Sequence, residues 1–194
     1  MRLSPSGLTA GQEGFIILLV FTWRDIMQKK VFQLLVDNTA GVLSRISGLF
    51  SRRGYNIESI TAGTTADPRF TRITIVASGN DDILEQIEKQ LRKLTDVRSV
   101  KELVPDNSVY RELCMIKLEI APEKMQNVIS LVGVYHATIE DLTENSLMIV
   151  ITENQSKIDT FIQVLEKADY TILEIARTGI AGLQRGSDGV EWFD

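Results

Sequence analysis

The sequence predicts an α+β protein that is built from two consecutive βαββαβ units. Strand-like and helix-like hydrophobic patterns follow one another in this order between residues 28 and 104, and the same order returns between residues 111 and 180. A polar segment with a proline, residues 105–110, separates the two runs as a linker. Each unit would form a four-stranded antiparallel sheet with both helices on one face, which is a ferredoxin-like arrangement.

The first unit begins with an almost continuous apolar strand, which favours a central position in its sheet. A polar loop, residues 37–41, then opens onto a helix whose apolar residues recur at helical spacing, and Gly54 is suited to end that helix. Asp67 and Pro68 predict the turn between the next two strands. The predicted strands cover residues 31–36, 55–63, 69–78 and 97–103, and the predicted helices cover residues 41–53 and 82–94.

The second unit repeats these signals. Pro122 is suited to open a helix, and residues 154–156 form a capping signal for another helix that ends near residue 167. The predicted strands cover residues 112–120, 137–142, 146–152 and 170–177, and the first helix covers residues 122–135. The sequence predicts that residues 111–180 form this domain and that residues 181–194 form a tail.

Residues 1–27 are interpreted as an N-terminal extension. The apolar run at residues 14–23 is far shorter than the ~20 residues that a membrane-spanning helix requires. Three interpretations remain: an artefact of a start codon upstream of Met27, an extra strand or helix that packs on the body or a partner, and a secretory signal. The last is disfavoured because Arg2 alone precedes the run and no small-residue cleavage site closes it.

Composition narrows the classes of function. The chain has 194 residues, 44% of them hydrophobic, and a net charge of −5, and its acidic balance argues against a nucleic-acid partner. Its one cysteine excludes an intramolecular disulfide and favours a cytoplasmic location, and its one histidine, His136, excludes a multi-histidine metal site. We expect no metal site, no membrane partner and no catalytic residues. Cys114 is predicted to lie in the core.

The 37–41 loop carries the first functional hypothesis. A helix N-terminus leaves backbone N–H groups unpaired and carries a partial positive charge, so it can bind a small carboxylate. The amide of Asn38 can both donate and accept hydrogen bonds. A purely structural interpretation stays open, in which Gly41 eases the turn into the helix and Asn38 forms an Asx-turn or caps the helix.

Two longer motifs resemble the regulatory small subunit of acetohydroxyacid synthase, also called acetolactate synthase. They are DNTAGVLSRI at residues 37–46 and LFSRRGYNIES at residues 49–59. The likeness continues through LEQIEKQL at residues 84–91 and closes with ARTG at residues 176–179 and QRG at residues 184–186. It extends over roughly residues 28–186.

The resemblance implies that residues 28–104 form an ACT domain, which binds amino acids, and that this domain dimerises. Valine, or else leucine or isoleucine, would bind at the dimer interface. The resemblance also implies a catalytic large subunit as partner, which would use thiamine diphosphate, magnesium and FAD, whereas this chain would bind no cofactor. Carried over by motif, the ligand-binding residues would be Asn38, Gly41 and Val42 of one chain, together with Asn56 and Ile57 that reach in from the second strand of the partner, and Thr61 and Gly63 near the same pocket. The family often has alanine where this chain has Gly63, which leaves the ligand preference more open.

The function that follows is activation of that catalytic subunit, with feedback inhibition by a branched-chain amino acid. Two alternatives stay open: an ACT-type sensor that controls a different enzyme or regulator, and a small enzyme with the same fold. The scarcity of catalytic residue types argues against the enzyme. The adjacent carboxylates Asp81 and Asp82, and likewise Glu140 and Asp141, are interpreted as helix-cap and strand-end residues.

Overall fold

The computed structural model describes residues 28–187, and these residues form two α+β units in tandem. The first unit consists of β1 Gln28–Asp37, α1 Val42–Arg53, β2 Asn56–Thr64, β3 Phe70–Gly79, α2 Asp81–Leu91 and β4 Val97–Leu103. The second consists of β5 Ser108–Glu119, α3 Met125–Val134, β6 Thr138–Leu142, β7 Ser146–Glu153, α4 Gln155–Lys167, β8 Thr171–Arg177 and β9 Ala181–Gln184. The predicted α+β fold class is confirmed. The predicted extension, residues 1–27, lies outside the described residues, as do residues 188–194 of the predicted tail.

The first sheet has the strand order β2-β3-β1-β4, and every pair is antiparallel. Because side chains alternate along a strand, Phe32, Leu34 and Val36 of β1 face the helices and join their core. Leu35 and Gln33 face the other side of the sheet and are also buried. The central position predicted for this strand is therefore confirmed, and its apolar pattern reflects burial on both faces.

The helix ends follow the capping residues of the sequence. Gly54 adopts a left-handed conformation after α1, and its N–H reaches the carbonyl oxygens of Phe50 and Ser51. Asn80 caps α2, because its side-chain oxygen accepts a hydrogen bond from the N–H of Ile83 at 2.9 Å. These local interactions set the ends of the helices that cover the first sheet.

The second sheet has the order β6-β7-β5-β8, and β9 pairs with the beginning of β5. Its core lies between the sheet and helices α3 and α4, and Cys114 is fully buried there, as predicted. Arg177, the last residue of β8, forms ion pairs with the buried Glu112 at 2.7 Å and with Asp159 at 2.7 Å. These ion pairs connect β8 to both β5 and α4.

The structure differs from the sequence-based boundaries at residue 181. Residues 181–184, predicted to start a tail, form β9, which pairs with residues 108–111 of β5. β5 therefore begins at Ser108, four residues before the predicted strand. A strand of four residues has too little pattern to be recognised alone, and here its pairing partner stabilises it. The helix predicted from Pro122 begins as a 3₁₀ turn and becomes α-helical at Met125.

The connection from β8 to β9 lies against the open face of the first sheet. The Gln33 side-chain amide donates to the carbonyl of Gly182 at 2.7 Å, and the Thr61 hydroxyl donates to the carbonyl of Thr178 at 2.8 Å. A Cβ atom at Gly182 would lie 2.8 Å from the Tyr110 ring and 2.9 Å from the Leu103 side chain, so the absence of a side chain favours this close approach. The two units thus meet through polar contacts and through the backbone of β9. Within residues 28–187, no helix is long and apolar enough to span a bilayer.

Candidate functional site

The 37–41 loop is held beside the beginning of β3 by hydrogen bonds from Asn38. The backbone N–H of Asn38 donates to the carbonyl of Arg69 at 2.7 Å, and its side-chain amide donates to the carbonyl of Pro68 at 2.9 Å. This leaves the side-chain oxygen without a donor in the part of the chain that the structure describes. Asn38 therefore anchors the loop and also presents an acceptor at its surface.

Two ion pairs hold the loop from the other side. Asp37 accepts hydrogen bonds from Arg98 at 2.8 and 2.6 Å, and this contact raises the pKa of Arg98. Arg45, in the second turn of α1, forms a two-point contact with Asp96 at 2.6 and 2.8 Å. No short-range sequence pattern indicates this contact, because Asp96 lies 51 residues away. These residues orient the loop.

Gly41 adopts a left-handed conformation, with φ +87°, directly before α1. No side chain caps this helix. Within the described chain the N–H groups of Gly41, Leu43 and Ser44 have no acceptor, so they are available to an anion. A cavity of about 250 Å³ lies over them. It is lined by residues 36–44 together with Thr71 and Ile73, so Asn38, Gly41 and Val42 share one site.

Within one chain, Asn56 and Ile57 lie at the opposite end of the sheet from the 37–41 loop. Asn56 pairs with Ser78, whereas the loop follows Asp37, which pairs with Phe70. Phe70 and Ser78 are eight positions apart along β3, which corresponds to about 26 Å. One chain therefore does not bring Asn38 and Asn56 together.

The Asn56 side chain takes part in a small polar cluster. Its amide donates to Glu58 at 2.9 Å and to the Ser78 hydroxyl at 3.1 Å. Hydrogen bonds from Ser78 and from Lys29 lower the pKa of Glu58, so its carboxylate is favoured. As with Asn38, the side-chain NH₂ group of Asn56 is used in anchoring hydrogen bonds. Its side-chain oxygen accepts no hydrogen bond from the described residues.

Thr61 and Gly63 lie in a different cavity from the loop. Both face the side of the sheet that meets the second unit, where Thr61 donates to Thr178 and Gly63 lines the space between the units. Their assignment to the amino-acid site stays a prediction, and the structure does not place them over the 37–41 loop of their own chain.

The edge of the first sheet next to this site is open and carries an exposed isoleucine. β2 is the outermost strand and has β3 as its only neighbour in the sheet of the described chain. Ile60, at the centre of β2, is 39% exposed, and Leu43, beside the loop cavity, is 49% exposed. An unpaired edge strand with exposed large apolar residues is typical of a surface that another chain covers.

Metal-ligating side chains are scattered over the part of the chain that the structure describes. None of these residues form a group of three His, Cys, Asp or Glu side chains that could hold a metal ion. His136 is exposed just after α3, and Asp81 and Asp82 begin α2. The site is thus built from backbone N–H groups, amide oxygens and apolar side chains.

A βαββαβ unit with a glycine-ended loop beside an edge strand defines a domain of the ACT class. Comparison with known families supports the assignment to this class. Residues 32–99 match the family model described as "AHAS small subunit-like ACT domain", and residues 111–186 match the model described as "Small subunit of acetolactate synthase". The chain belongs to the acetolactate synthase small subunit family, which places it in branched-chain amino-acid biosynthesis.

The chain also aligns with individual relatives over nearly their whole length. The chain is 42% identical over 159 residues to the probable acetolactate synthase small subunit of Archaeoglobus fulgidus, covering 82% of this chain and 98% of that protein. It is 39% identical over 158 residues to the isozyme 3 small subunit of Salmonella typhimurium, covering 81% and 96%. The crystal structure of the Thermotoga maritima small subunit superposes with a TM-score of 0.75 at 37% identity, covering 82% of this chain and 99% of that one.

Proposed function

We propose that this chain is a non-catalytic regulatory subunit, which activates the catalytic subunit of acetolactate synthase and makes it sensitive to valine. The observation that carries this proposal is the loop cavity, where free N–H groups at the start of α1 lie beside the acceptor oxygen of Asn38. Family membership supplies the partner, because a small subunit implies a large one. Thiamine diphosphate, magnesium and FAD would be held by that large subunit.

The cavity suits a zwitterionic aliphatic amino acid. The N–H groups of Gly41, Leu43 and Ser44 would bind the carboxylate, and the side-chain oxygen of Asn38 would accept a hydrogen bond from the ammonium group. Val42 would contact the aliphatic side chain. An apolar contact of this kind distinguishes one methylene by only about 1–3 kcal/mol. Leucine and isoleucine are therefore expected to bind at the same place with lower affinity.

The second half of the site would come from a second copy of the chain. If two β2 strands pair antiparallel about Ile60, the partner's Asn56 comes opposite Thr64, next to the 37–41 loop. This pairing supports the proposal because it covers the open edge and the exposed apolar side chains together. The partner's Ile57 would then add apolar surface to the cavity. Ligand binding and dimerisation would be coupled as a result.

The direct test is a mixing assay with purified catalytic subunit. Acetolactate formation is measured with and without this chain while valine, leucine or isoleucine is titrated. We expect a gain in activity on mixing and a loss of that gain as valine is added. No gain on mixing would contradict the role as activator and would favour a sensor that controls another enzyme. Acetolactate formation by this chain alone would contradict its non-catalytic role.

Gly41→Asp tests the site itself. The new carboxylate would lie where the ligand carboxylate binds, so we expect the half-inhibitory valine concentration to rise about tenfold or more, equivalent to ~1.4 kcal/mol, with activation retained. Gly186→Asp is the matched control, because Gly186 is also left-handed, with φ +80°, but lines neither the loop cavity nor the strand β2 that would pair with the partner. An unchanged valine response in Gly41→Asp would refute the assignment.

A further inference from the structure

A second cavity, of about 660 Å³, lies between the two units. One wall is the open face of β2 and β3, and the other is formed by β9 and the beginning of β5. It lies on the opposite side of the first sheet from the loop cavity. The neighbouring residues Thr71 and Arg72 illustrate this, since Thr71 lines the loop cavity and Arg72 lines the cavity between the units. The two cavities are therefore separate sites.

The walls of this cavity are mostly apolar, with a few polar groups. Alanine, glycine, valine and leucine residues provide most of the surface, together with threonine residues of β2 and β3. The charged residues among the described lining are Arg72 and Arg111, and none of that lining is acidic. Arg111 donates to the backbone carbonyl of Tyr110 at 2.7 Å, so part of its hydrogen-bonding capacity is used. The cavity thus has a positive group in an apolar setting.

Arg72 is the unusual residue in this cavity. Its Nε atom is buried and has no hydrogen-bond partner in the part of the chain that the structure describes. The same part of the chain gives it no acidic partner, whereas Arg69, three residues earlier, has a two-point contact with Asp67. The side chain of Arg72 is half-buried, and this burial lowers its pKa. A buried polar group without a partner requires an explanation, and a bound anion supplies one.

We propose that the cavity between the units binds a small monocarboxylate with an aliphatic body, whose carboxylate is held by Arg72. A planar guanidinium matches a carboxylate in a two-point contact, and the apolar walls match an aliphatic body. A phosphate dianion would cost more to remove from water and would need more donors than this lining offers. The ligand would lack an ammonium group, because no described lining residue carries a carboxylate to receive one.

Isothermal titration calorimetry on the full chain tests this proposal with 3-methylbutanoate as probe. The uncharged 3-methylbutan-1-ol has the same carbon skeleton and serves as the matched ligand control. We expect the acid to bind at least about tenfold more tightly than the alcohol, since hydrogen bonds between charged groups exceed neutral ones by this order. Equal binding of acid and alcohol, or no binding of the acid at millimolar concentration, would overturn the proposal.

Two variants locate the site. Arg72→Met keeps the length of the side chain and removes its charge, so binding of the acid is expected to weaken at least about tenfold. Arg69→Met is the matched control, because Arg69 is exposed, is paired with Asp67 and does not line the cavity. Wild-type affinity in Arg72→Met, or an equal loss in Arg69→Met, would overturn the assignment.

Gly63→Leu tests the same cavity by filling it. A Cβ atom at Gly63 would have no atom within 4 Å, so the new side chain can extend into the space without a clash. We expect this variant to abolish binding of the acid even if Arg72→Met fails to fold. Retained binding in Gly63→Leu would contradict the cavity as the site. Gly41→Asp should bind the acid normally, which separates this proposal from the amino-acid site.

Discussion

The ion pairs of Arg177 connect β8 to β5 and α4 within the second unit. Nε and Nη2 of Arg177 donate to Glu112 at 3.0 and 2.7 Å, and Nη1 donates to Asp159 at 2.7 Å. The hydrogen bond to Glu112 is the main cause of the raised pKa of Arg177, so the guanidinium stays charged. Only 3% of the Glu112 side chain is exposed, so this carboxylate depends on Arg177 for its stability in the interior.

Arg177→Met should therefore destabilise the protein strongly. Removal of one partner of a buried ion pair costs about 3–5 kcal/mol, because the other charge remains buried without a partner. With a urea m value of about 2–3 kcal/mol/M, the unfolding midpoint would fall by roughly 1–2 M. Urea unfolding followed by circular dichroism measures this shift. The variant should also bind 3-methylbutanoate less tightly, because the residues after β8 line the cavity between the units.

A double-mutant cycle with Glu112→Gln checks the cause. If the loss arises from the unpaired carboxylate, Glu112→Gln should restore about 2 kcal/mol or more to Arg177→Met, since the buried group is then neutral. Arg69→Met removes an exposed ion pair and should leave the midpoint unchanged within error. Additive effects in the cycle, or a midpoint shift in Arg177→Met no larger than that in Arg69→Met, would refute the reasoning.

Three further predictions concern stability. Gly179→Ala should lower the free energy of unfolding by about 2–4 kcal/mol, because φ is +79° and a Cβ would lie 2.9 Å from the Thr61 hydroxyl. Gly133 lies in α3, where a Cβ atom would meet open space. Gly133→Ala should therefore raise the free energy of unfolding by about 0.5–1 kcal/mol, and urea titration of both variants measures these opposite changes. Glu58 has a lowered pKa, so its stabilising effect is present above pH 4.5 and is lost as the pH falls through its folded pKa. Glu58→Gln should therefore make the melting temperature less dependent on pH below 4.5, and an unchanged slope would contradict this. Asn80→Ala should cost about 1 kcal/mol through loss of the α2 cap, and a thermal melt that matches wild type would show that the cap contributes nothing.

Much of the fold could be predicted because its signals are local. The position of Gly54 after an amphipathic run marks the end of α1, and Asn80 marks the start of α2. The near-continuous apolar run of β1 indicated a strand buried on both faces. β9 was missed because its four residues have no pattern of their own and depend on pairing with β5.

The candidate site could be predicted only in part, for a similar reason. The loop and the helix that begins after Gly41 are adjacent in sequence, so their shared cavity follows from a local motif. The anchors Asp96 and Arg98 come from the other end of the unit, and no short-range pattern connects them to the loop. Asn56 was expected to reach the ligand from a partner chain, and within one chain it lies at the far end of the sheet from the loop. The contribution of a second chain to the proposed site stays a prediction.

The sequence by itself determined the order of strands and helices, the division into two units and the chemistry of the 37–41 loop. Each depends on residues close together along the chain, whose spacing reflects hydrophobic periodicity and capping. Only the tertiary structure decided that β9 covers the open face of the first sheet and that Arg72 lies unpaired in a cavity between the units. The physical reason is that contacts between the two units depend on the shapes of their surfaces and on where unpaired polar groups lie. Neither property produces a periodic pattern in the sequence.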